Sequence, residues 1–187
     1  SGDYHLLASS QLINGGHPDS LDSDGSRADI GAYYYHNEYS GPTWYITESG
    51  NDSTATGASD DPFRSIQAGI NFSSDADSVT VAAGTYTENV SLNKTIVLMS
   101  SEGADSTIID ANNFGTVVTI TDGSDATLDG FILQNGYTSG SNTKSGGLIV
   151  LNNDAVIKNC IIKNNQGHQG GGIYSQAGSF YNCQIIG

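Results

Sequence analysis

The sequence predicts an all-β solenoid, a chain of short strands wound coil upon coil, and two observations lead to this prediction. The first is an internal repeat: segment 157–162 returns as segment 180–185, 23 residues later. Segment 146–150 returns about one such offset later as segment 171–175, and this spacing is within the range of short-period solenoids. The second observation is a series of brief strand-like segments along most of the chain.

These strand-like segments are rich in β-branched residues and are bounded by Gly, Asn or Ser, which is typical of short strands that end in tight turns. No long helical pattern interrupts them. The predicted strands lie at residues 44–47, 78–84, 85–90, 95–99, 107–110, 116–120 and 126–133.

A further alignment predicts a corner followed by an excursion. Segment 129–135 aligns with segment 158–164, so that Asn135 and Asn164 fall at the same corner, 29 residues apart. Asn tolerates the left-handed backbone that a tight corner requires, and its amide can stack on that of the next coil. Loop 137–145 supplies the extra residues, and solenoids usually carry their binding surfaces on such excursions.

One short helix is predicted near residues 62–71, ahead of the regular coils. The Asp-Pro pair at 61–62 is typical of an N-cap followed by the first helical residue. Phe63, Ile66 and Ile70 recur at three- and four-residue spacing. This pattern indicates an amphipathic helix of about two to three turns, which would cap the solenoid.

Composition limits the classes of function. Acidic residues outnumber basic residues by 20 to 6 in a chain of 187, and the isoelectric point is near 4.1. Such a field disfavours nucleic acid and anionic membrane surfaces, and it favours divalent cations. Abundant Gly, Ser, Thr, Asn and Asp, with no segment apolar enough to span a bilayer, indicate an extracellular or cell-surface β-protein.

The two cysteines, Cys160 and Cys183, occupy equivalent positions of the repeat. On adjacent coils their Cα atoms would stack about 4.8 Å apart with parallel side chains, a geometry that suits a disulfide poorly. We therefore expect two buried free thiols that serve as small core residues rather than a redox or metal site.

An acidic loop at residues 19–29 predicts a structural Ca²⁺ site. Alternating carboxylates with a Gly at the bend can surround a hard cation with oxygen ligands, although the full EF-hand pattern is missing. The alternative is a solvated acidic turn in which Arg27 neutralises one carboxylate. The predicted ligands are Asp19, Asp22, Asp24 and Asp29.

A dense aromatic cluster follows the acidic loop, and it has two interpretations. Its rings either stack against sugars, or they cover the open end of a solenoid or join two segments, and we favour the second interpretation. The cluster comprises Tyr33, Tyr34, Tyr35, Tyr39, Trp44 and Tyr45. The predicted interface residues are Tyr33, Tyr34, Tyr35 and Trp44 at one end of the molecule, and Ile185 and Gly187 at the other.

Segments 61–70 and 77–90 resemble the opening of secreted bacterial right-handed parallel β-helix proteins, the pectate-lyase-like group with pectin-lyase-fold repeats. Segments 107–110, 128–131 and 170–174 are similar to the early coils of that group. The resemblance covers about Tyr45 to Gly187 and implies a right-handed parallel β-helix. The group includes lyases, esterases, epimerases, adhesins and proteins of no known activity, so the resemblance implies no single activity.

A second resemblance concerns the N-terminal segment. Residues 2–16 and 24–33 look like the segment that ends such β-helix domains, so the tail of one β-helix would precede the head of the next. We therefore divide the chain into residues 1–42, a possible assembly segment, and residues 43–187, a β-helix with an unfinished last coil. Either the chain belongs to a tandem array, or the tail segment of one subunit covers the open end of its neighbour.

Three functions follow as hypotheses, and no catalytic constellation is predicted. The favoured one is an extracellular structural or adhesive module that binds copies of itself head to tail. The second is a calcium-dependent polysaccharide lyase. The third is a glycan-binding adhesin that uses the 33–45 aromatics or the 137–145 loop. For the lyase, the candidate bases are Lys158, Lys163 and Lys144, and the candidate cation ligands are Asp110, Asp125 and Asp129.

Overall fold

The computed structural model describes residues 4–23, 25–31, 33–140, 144–152 and 154–187. Fifteen short strands and one helix are found in this part of the chain. In chain order they are β1 (Thr43–Ile46), α1 (Ile66–Phe72), β2 (Ser78–Val81), β3 (Gly84–Thr87), β4 (Val90–Leu92), β5 (Val97–Ser100), β6 (Thr107–Asp110), β7 (Val118–Ile120), β8 (Thr127–Asp129), β9 (Ile132–Gln134), β10 (Leu148–Val150), β11 (Val156–Lys158), β12 (Ile161–Lys163), β13 (Ile173–Ser175), β14 (Ser179–Tyr181) and β15 (Gln184–Ile186).

The strands form three parallel sheets along the faces of one solenoid. The largest sheet has the order β1-β2-β5-β8-β11-β14, the second β3-β6-β9-β12-β15, and the third β4-β7-β10-β13. Each complete coil contributes one strand to each sheet, and neighbouring coils pair in parallel. The predicted right-handed parallel β-helix is therefore confirmed.

The core is built from ladders of inward-facing side chains. Val79 pairs with Leu98, and this ladder continues through Leu128 and Ile157 to Phe180. The first four are fully buried, whereas Phe180 is 36% exposed because it lies in the last coil. Each buried aliphatic side chain contributes about 1.5–3 kcal/mol, so every added coil stabilises the coil before it.

Asparagines form the predicted corners. Asn135 and Asn164 both adopt positive φ, at 57° and 55°, as the alignment predicts. A parallel ladder runs along another corner, where Asn182 Nδ2 donates to Asn159 Oδ1 at 2.9 Å. Asn159 Nδ2 in turn donates to Asp129 Oδ1 at 2.8 Å. These side chains hold the turns of successive coils in register.

Helix α1 begins four residues later than predicted. Residues 61–62 are not its N-cap, because Phe63 pairs with β1 instead: its N–H donates to Tyr45 O at 3.0 Å. The N-cap is Ser65, whose side chain makes no capping hydrogen bond. The carboxylate of Glu88, which directly follows β3, takes over that role.

Glu88 accepts hydrogen bonds from the first two amides of α1. Ile66 N donates to Oε1 at 2.8 Å, and Gln67 N donates to Oε2 at 3.0 Å. Burial raises the pKa of Glu88, although these two hydrogen bonds lower it in part. A carboxylate at this position satisfies amides that have no partner within a helix.

The other end of α1 is held by Lys94. Its ammonium donates to the carbonyls of Ile70, Asn71 and Ser73 at 2.6–2.7 Å. Burial lowers the pKa of Lys94 to about 8, and the nearby carboxylates oppose this shift. Both ends of the capping helix are therefore fixed by residues of the following coil.

The N-terminal segment packs on the outside of α1. Asn71 Nδ2 donates to the carbonyls of Ala8 and Ser10 at 3.0 and 2.9 Å. Ala8 N donates to Asp52 O at 2.7 Å, and the Ala8 side chain is fully buried. This segment therefore covers the first coil of its own chain.

Two aromatic residues complete this cover. The ring of Tyr35 packs on Phe72 with centroids 5.2 Å apart, and its hydroxyl donates to Ala55 O at 2.7 Å. Trp44 stacks near Phe63 at 6.2 Å and donates from Nε1 to the carboxylate of Asp77 at 2.9 Å. Tyr35 and Trp44 are therefore buried against the capping helix of their own chain.

Candidate assembly surfaces at the two ends of the β-helix

Exposed large apolar side chains are concentrated at the two ends of the molecule. Among the described residues, only Phe114 and Tyr137 lie between the ends. The N-terminal group comprises Tyr4, Leu7, Leu12, Leu21, Ile30, Tyr33 and Tyr34, and the C-terminal group comprises Phe180, Tyr181, Ile185 and Ile186. We call the first group the head face and the second group the tail face.

The tail face is a hollow of about 440 Å³, and its lining includes Ile173, Phe180 and Ile185. Ile185 pairs with the fully buried Ile162, so its position in the repeat is an inward one. Its side chain is nevertheless 62% exposed. Within the described part of the chain, β13, β14 and β15 each pair with a strand on one side only. Exposed strand edges beside an apolar hollow are a ready template for another β-segment.

Both predicted free thiols lie at this end. Cys160 is buried, whereas Cys183 is partly exposed because no further coil covers it within the described residues. The interaction between the two thiols lowers the pKa of Cys183 to about 6 and raises the pKa of Cys160. The prediction of free thiols is confirmed, but only Cys160 is a fully buried core residue.

The head face is the outer surface of the N-terminal segment. Leu21 is 67% exposed and Ile30 is 51% exposed. The carboxylate of Asp29 holds this surface in place, because it accepts hydrogen bonds from Asn14 N and Tyr35 N at 2.7 and 2.8 Å. An irregular segment is thus fixed from inside while its apolar side chains point outward.

The structure divides the predicted interface residues into two groups. Tyr33 and Tyr34 belong to the head face, and Ile185 and Gly187 are exposed at the other end. Tyr35 and Trp44 are instead buried against the capping helix, so they support the head face but are not part of its exposed surface. Sequence analysis did not find the aliphatic part of the head face, because Leu21 and Ile30 occur in no periodic pattern.

Charge is strongly segregated along the chain, a feature that the overall balance hides. Residues 1–129 contain nineteen of the twenty acidic residues and three of the six basic ones, whereas residues 130–187 contain three lysines and one aspartate. Two of these lysines lie directly beneath the last coil, since Lys158 pairs with Tyr181 and Lys163 with Ile186. The head is therefore acidic and the tail weakly basic, which a count along the sequence would have shown.

The acidic loop is held by hydrogen bonds between its own groups. Asp22 Oδ2 accepts from Asp29 N at 2.9 Å, and the Asp19 carboxylate lies 3.9 Å from His17 Nδ1. Asp24 lies outside the described residues. Within the described ranges, no three His, Cys, Asp or Glu side chains are grouped as metal ligands would be. The Ca²⁺ site therefore stays a prediction.

The residues considered for a lyase are engaged in separate contacts. Lys158 pairs with Asp129 at 3.2 Å, and Asp110 Oδ2 accepts hydrogen bonds from Gln134 and Asn135 at 2.8 Å. These contacts tie neighbouring coils together.

The other lyase candidates make contacts elsewhere. Lys144 Nζ lies 4.8 Å from the centre of the Tyr174 ring, and Asp125 N donates to Thr95 Oγ1 at 3.3 Å. Lys163 lies on β12 beside Gln134. Among these described residues, the contacts bring one candidate base, Lys158, beside one candidate ligand, Asp129, and join no second carboxylate to that pair.

Residues 48–102, which include Glu88 and Lys94, match a family described as a protein of unknown function, DUF1565. No sequence among the curated proteins matches the chain. No helix in the described part of the chain is long and apolar enough to cross a membrane.

Solved structures with similar coordinates are pectin methylesterases. The enzyme from Aspergillus niger, in deglycosylated form, is 16% identical with a TM-score of 0.50, and the match covers 81% of this chain and 52% of that one. PemA from Erwinia chrysanthemi is 15% identical with a TM-score of 0.51, covering 82% and 50%. The chain thus spans about half the length of these relatives. The likeness establishes the fold alone.

Proposed function

We propose that this chain is an extracellular structural or adhesive β-helix module that associates head to tail. The observation that supports the proposal is the concentration of exposed apolar side chains at the two ends of the molecule. Large apolar patches on a protein surface commonly mark interaction sites. The tail face of one copy would be covered by the head face of the next, which remains attached to its own capping helix.

Charge favours this arrangement over a symmetric one. Two tail faces brought together would place the Lys163 side chains of both copies close to one another, whereas a tail against a head places Lys163 near the carboxylates of the head. Lys158 contributes less, because it already pairs with Asp129 of its own chain. Complementary charge selects the partner and its orientation. A contact between two different faces is heterologous, and it extends into a filament unless the rotation between subunits closes a ring.

Self-association is expected to depend on one side chain at each end. Ile185→Lys places a charge in the tail hollow, and Leu21→Lys places one on the head face, so each variant should be monomeric at concentrations at which the wild type forms oligomers. Phe114→Lys, which alters an exposed ring away from both ends, should behave as the wild type. Light scattering during size-exclusion chromatography, over a concentration series, measures all four proteins.

Mixing the two variants gives the sharper result. The intact head of Ile185→Lys still fits the intact tail of Leu21→Lys, so an equimolar mixture should form dimers and nothing larger. A symmetric tail-to-tail contact would instead let Leu21→Lys dimerise by itself. A wild type that is monomeric at every concentration would overturn the proposal.

Reversing one tail charge is expected to weaken association in a salt-dependent way. Lys163 lies on β12, beside the edge strand β15, so Lys163→Glu would oppose the acidic head of the neighbour. We expect self-association about 10-fold weaker at 0.1 M salt, where charges act over about 10 Å, and a much smaller difference at 1 M salt. Sedimentation velocity at both ionic strengths checks this, and an equal effect at both would contradict a charge-steered contact.

A further inference from the structure

A second cleft lies away from the head and tail faces, where loop 137–145 leaves the β-helix. It measures about 320 Å³, within the range of small-molecule sites. The described residues that line it are Tyr137, Thr138, Ser139, Gln166, Gly167 and His168. Residues 141–143 of the loop lie outside the described residues.

The walls of the cleft are preformed. Thr138 N donates to Gln166 O at 3.0 Å, and Gln166 N donates to Gly136 O at 2.8 Å. Tyr137 N donates to Gly115 O at 2.8 Å, which ties the first wall to the preceding coil. Both walls are therefore anchored by backbone hydrogen bonds, and binding would require little ordering of the chain.

The cleft combines an exposed aromatic ring with polar side chains, one of which has no hydrogen-bond partner among the described residues. The Tyr137 ring is 42% exposed, although nearly all other exposed large apolar side chains of the described residues lie at the two ends. The Thr138 hydroxyl is buried without a hydrogen-bond partner among the described residues, an arrangement that costs free energy unless something pairs with it. Thr138 lines the cleft together with Gln166 and His168, so a molecule bound there can supply the missing partner.

We propose that this cleft binds one unit of a neutral saccharide. A sugar ring offers an apolar face that stacks on Tyr137 and hydroxyls that pair with the Thr138, Gln166 and His168 side chains. None of the described residues lining the cleft is Asp or Glu, which disfavours a cation, and none is Lys or Arg, which disfavours an anionic sugar in a chain of net charge −14. The site would give the module adhesive function independently of its assembly.

The test uses Ile185→Lys as the starting protein, so that self-association does not interfere. Isothermal titration with the neutral hexasaccharides of β-1,4-linked glucose, galactose and N-acetylglucosamine should find one that binds with a Kd on the order of 1 mM or tighter. Adding Tyr137→Ala should weaken that binding at least about 10-fold. Tyr137→Phe, which keeps the ring, should change it by less than about 3-fold. Tyr181→Ala, at an exposed tyrosine on β14, should leave it unchanged.

Three results would overturn the proposal. They are the absence of binding by all three neutral hexasaccharides, binding that Tyr137→Ala leaves intact, and tighter binding of polygalacturonate than of any neutral sugar. Circular dichroism of each variant shows whether the β-helix is retained. A negative result here leaves the head-to-tail contact untouched, because the starting protein already lacks it.

Discussion

Gly136→Ala is expected to lower the free energy of unfolding by about 3–5 kcal/mol, because overpacking against fixed backbone is among the most costly substitutions. A Cβ added at Gly136 would lie 1.8 Å from Gly146 O and 2.5 Å from Gly146 C. That carbonyl cannot move away, since it accepts a hydrogen bond from Val117 N at 2.8 Å. Because Gly136 and Gly146 have no side chains, the backbones of the two segments that meet at this corner can lie in direct contact.

Gly123→Ala is the matched control. Gly123 has a φ of +82°, but a Cβ added there has no atom within 4 Å. Its cost should be the backbone strain alone, about 1–2 kcal/mol. Urea unfolding followed by circular dichroism compares the two variants with the wild type. Equal losses would mean that the approach of Gly136 to Gly146 is not the cause.

Glu88→Ala is expected to destabilise the protein by about 2–6 kcal/mol, because it leaves two part-buried amides of α1 without their partner at about 1–3 kcal/mol each. Those amides belong to Ile66 and Gln67. The head face rests on this helix, so the loss should appear first as increased proteolysis of the N-terminal segment. Limited proteolysis together with urea unfolding measures both effects, and unchanged protection of residues 4–42 would contradict the role of Glu88.

The charge of Glu88 also predicts a pH dependence. Its pKa is raised in the folded protein above its ordinary value of 4.5, so the folded state holds this proton to higher pH than the unfolded state does. The corresponding stability is fully present below pH 4.5 and is lost as pH rises through the raised value. Glu88→Gln removes this effect, so its stability relative to the wild type should increase as the pH rises above 4.5. Parallel stability profiles for the two proteins would show that Glu88 does not titrate in this range.

Local patterns predicted the coils and their corners well. Asn135 and Asn164 need only their own backbone preference and their place in the repeat to form corners. The predicted start of α1 was wrong because the group that accepts hydrogen bonds from its first amides is Glu88, 22 residues after Ile66 in the chain. Patterns in a window of a few residues cannot find such a partner.

The candidate surfaces were predicted only in part. The exposure of Ile185 follows from its inward position in the repeat, because no further coil packs on it within the described residues. Tyr35 and Trp44 are buried because they contact α1. Only the folded structure could therefore distinguish these two residues from the exposed Tyr33 and Tyr34. The segregation of acidic and basic residues can be read from the sequence, but the net charge of the whole chain does not reveal it.

The contacts of Glu88 and Lys94 with the two ends of α1 determine when the helix can become fully hydrogen-bonded. Glu88 and Lys94 both follow the helix in the chain, the first 22 residues after Ile66 and the second 23 residues after Asn71. A chain that emerges from its N-terminal end therefore holds an incompletely bonded helix until residue 94 is available. The cap and the second coil therefore depend on each other for stability, since the same side chains bond both.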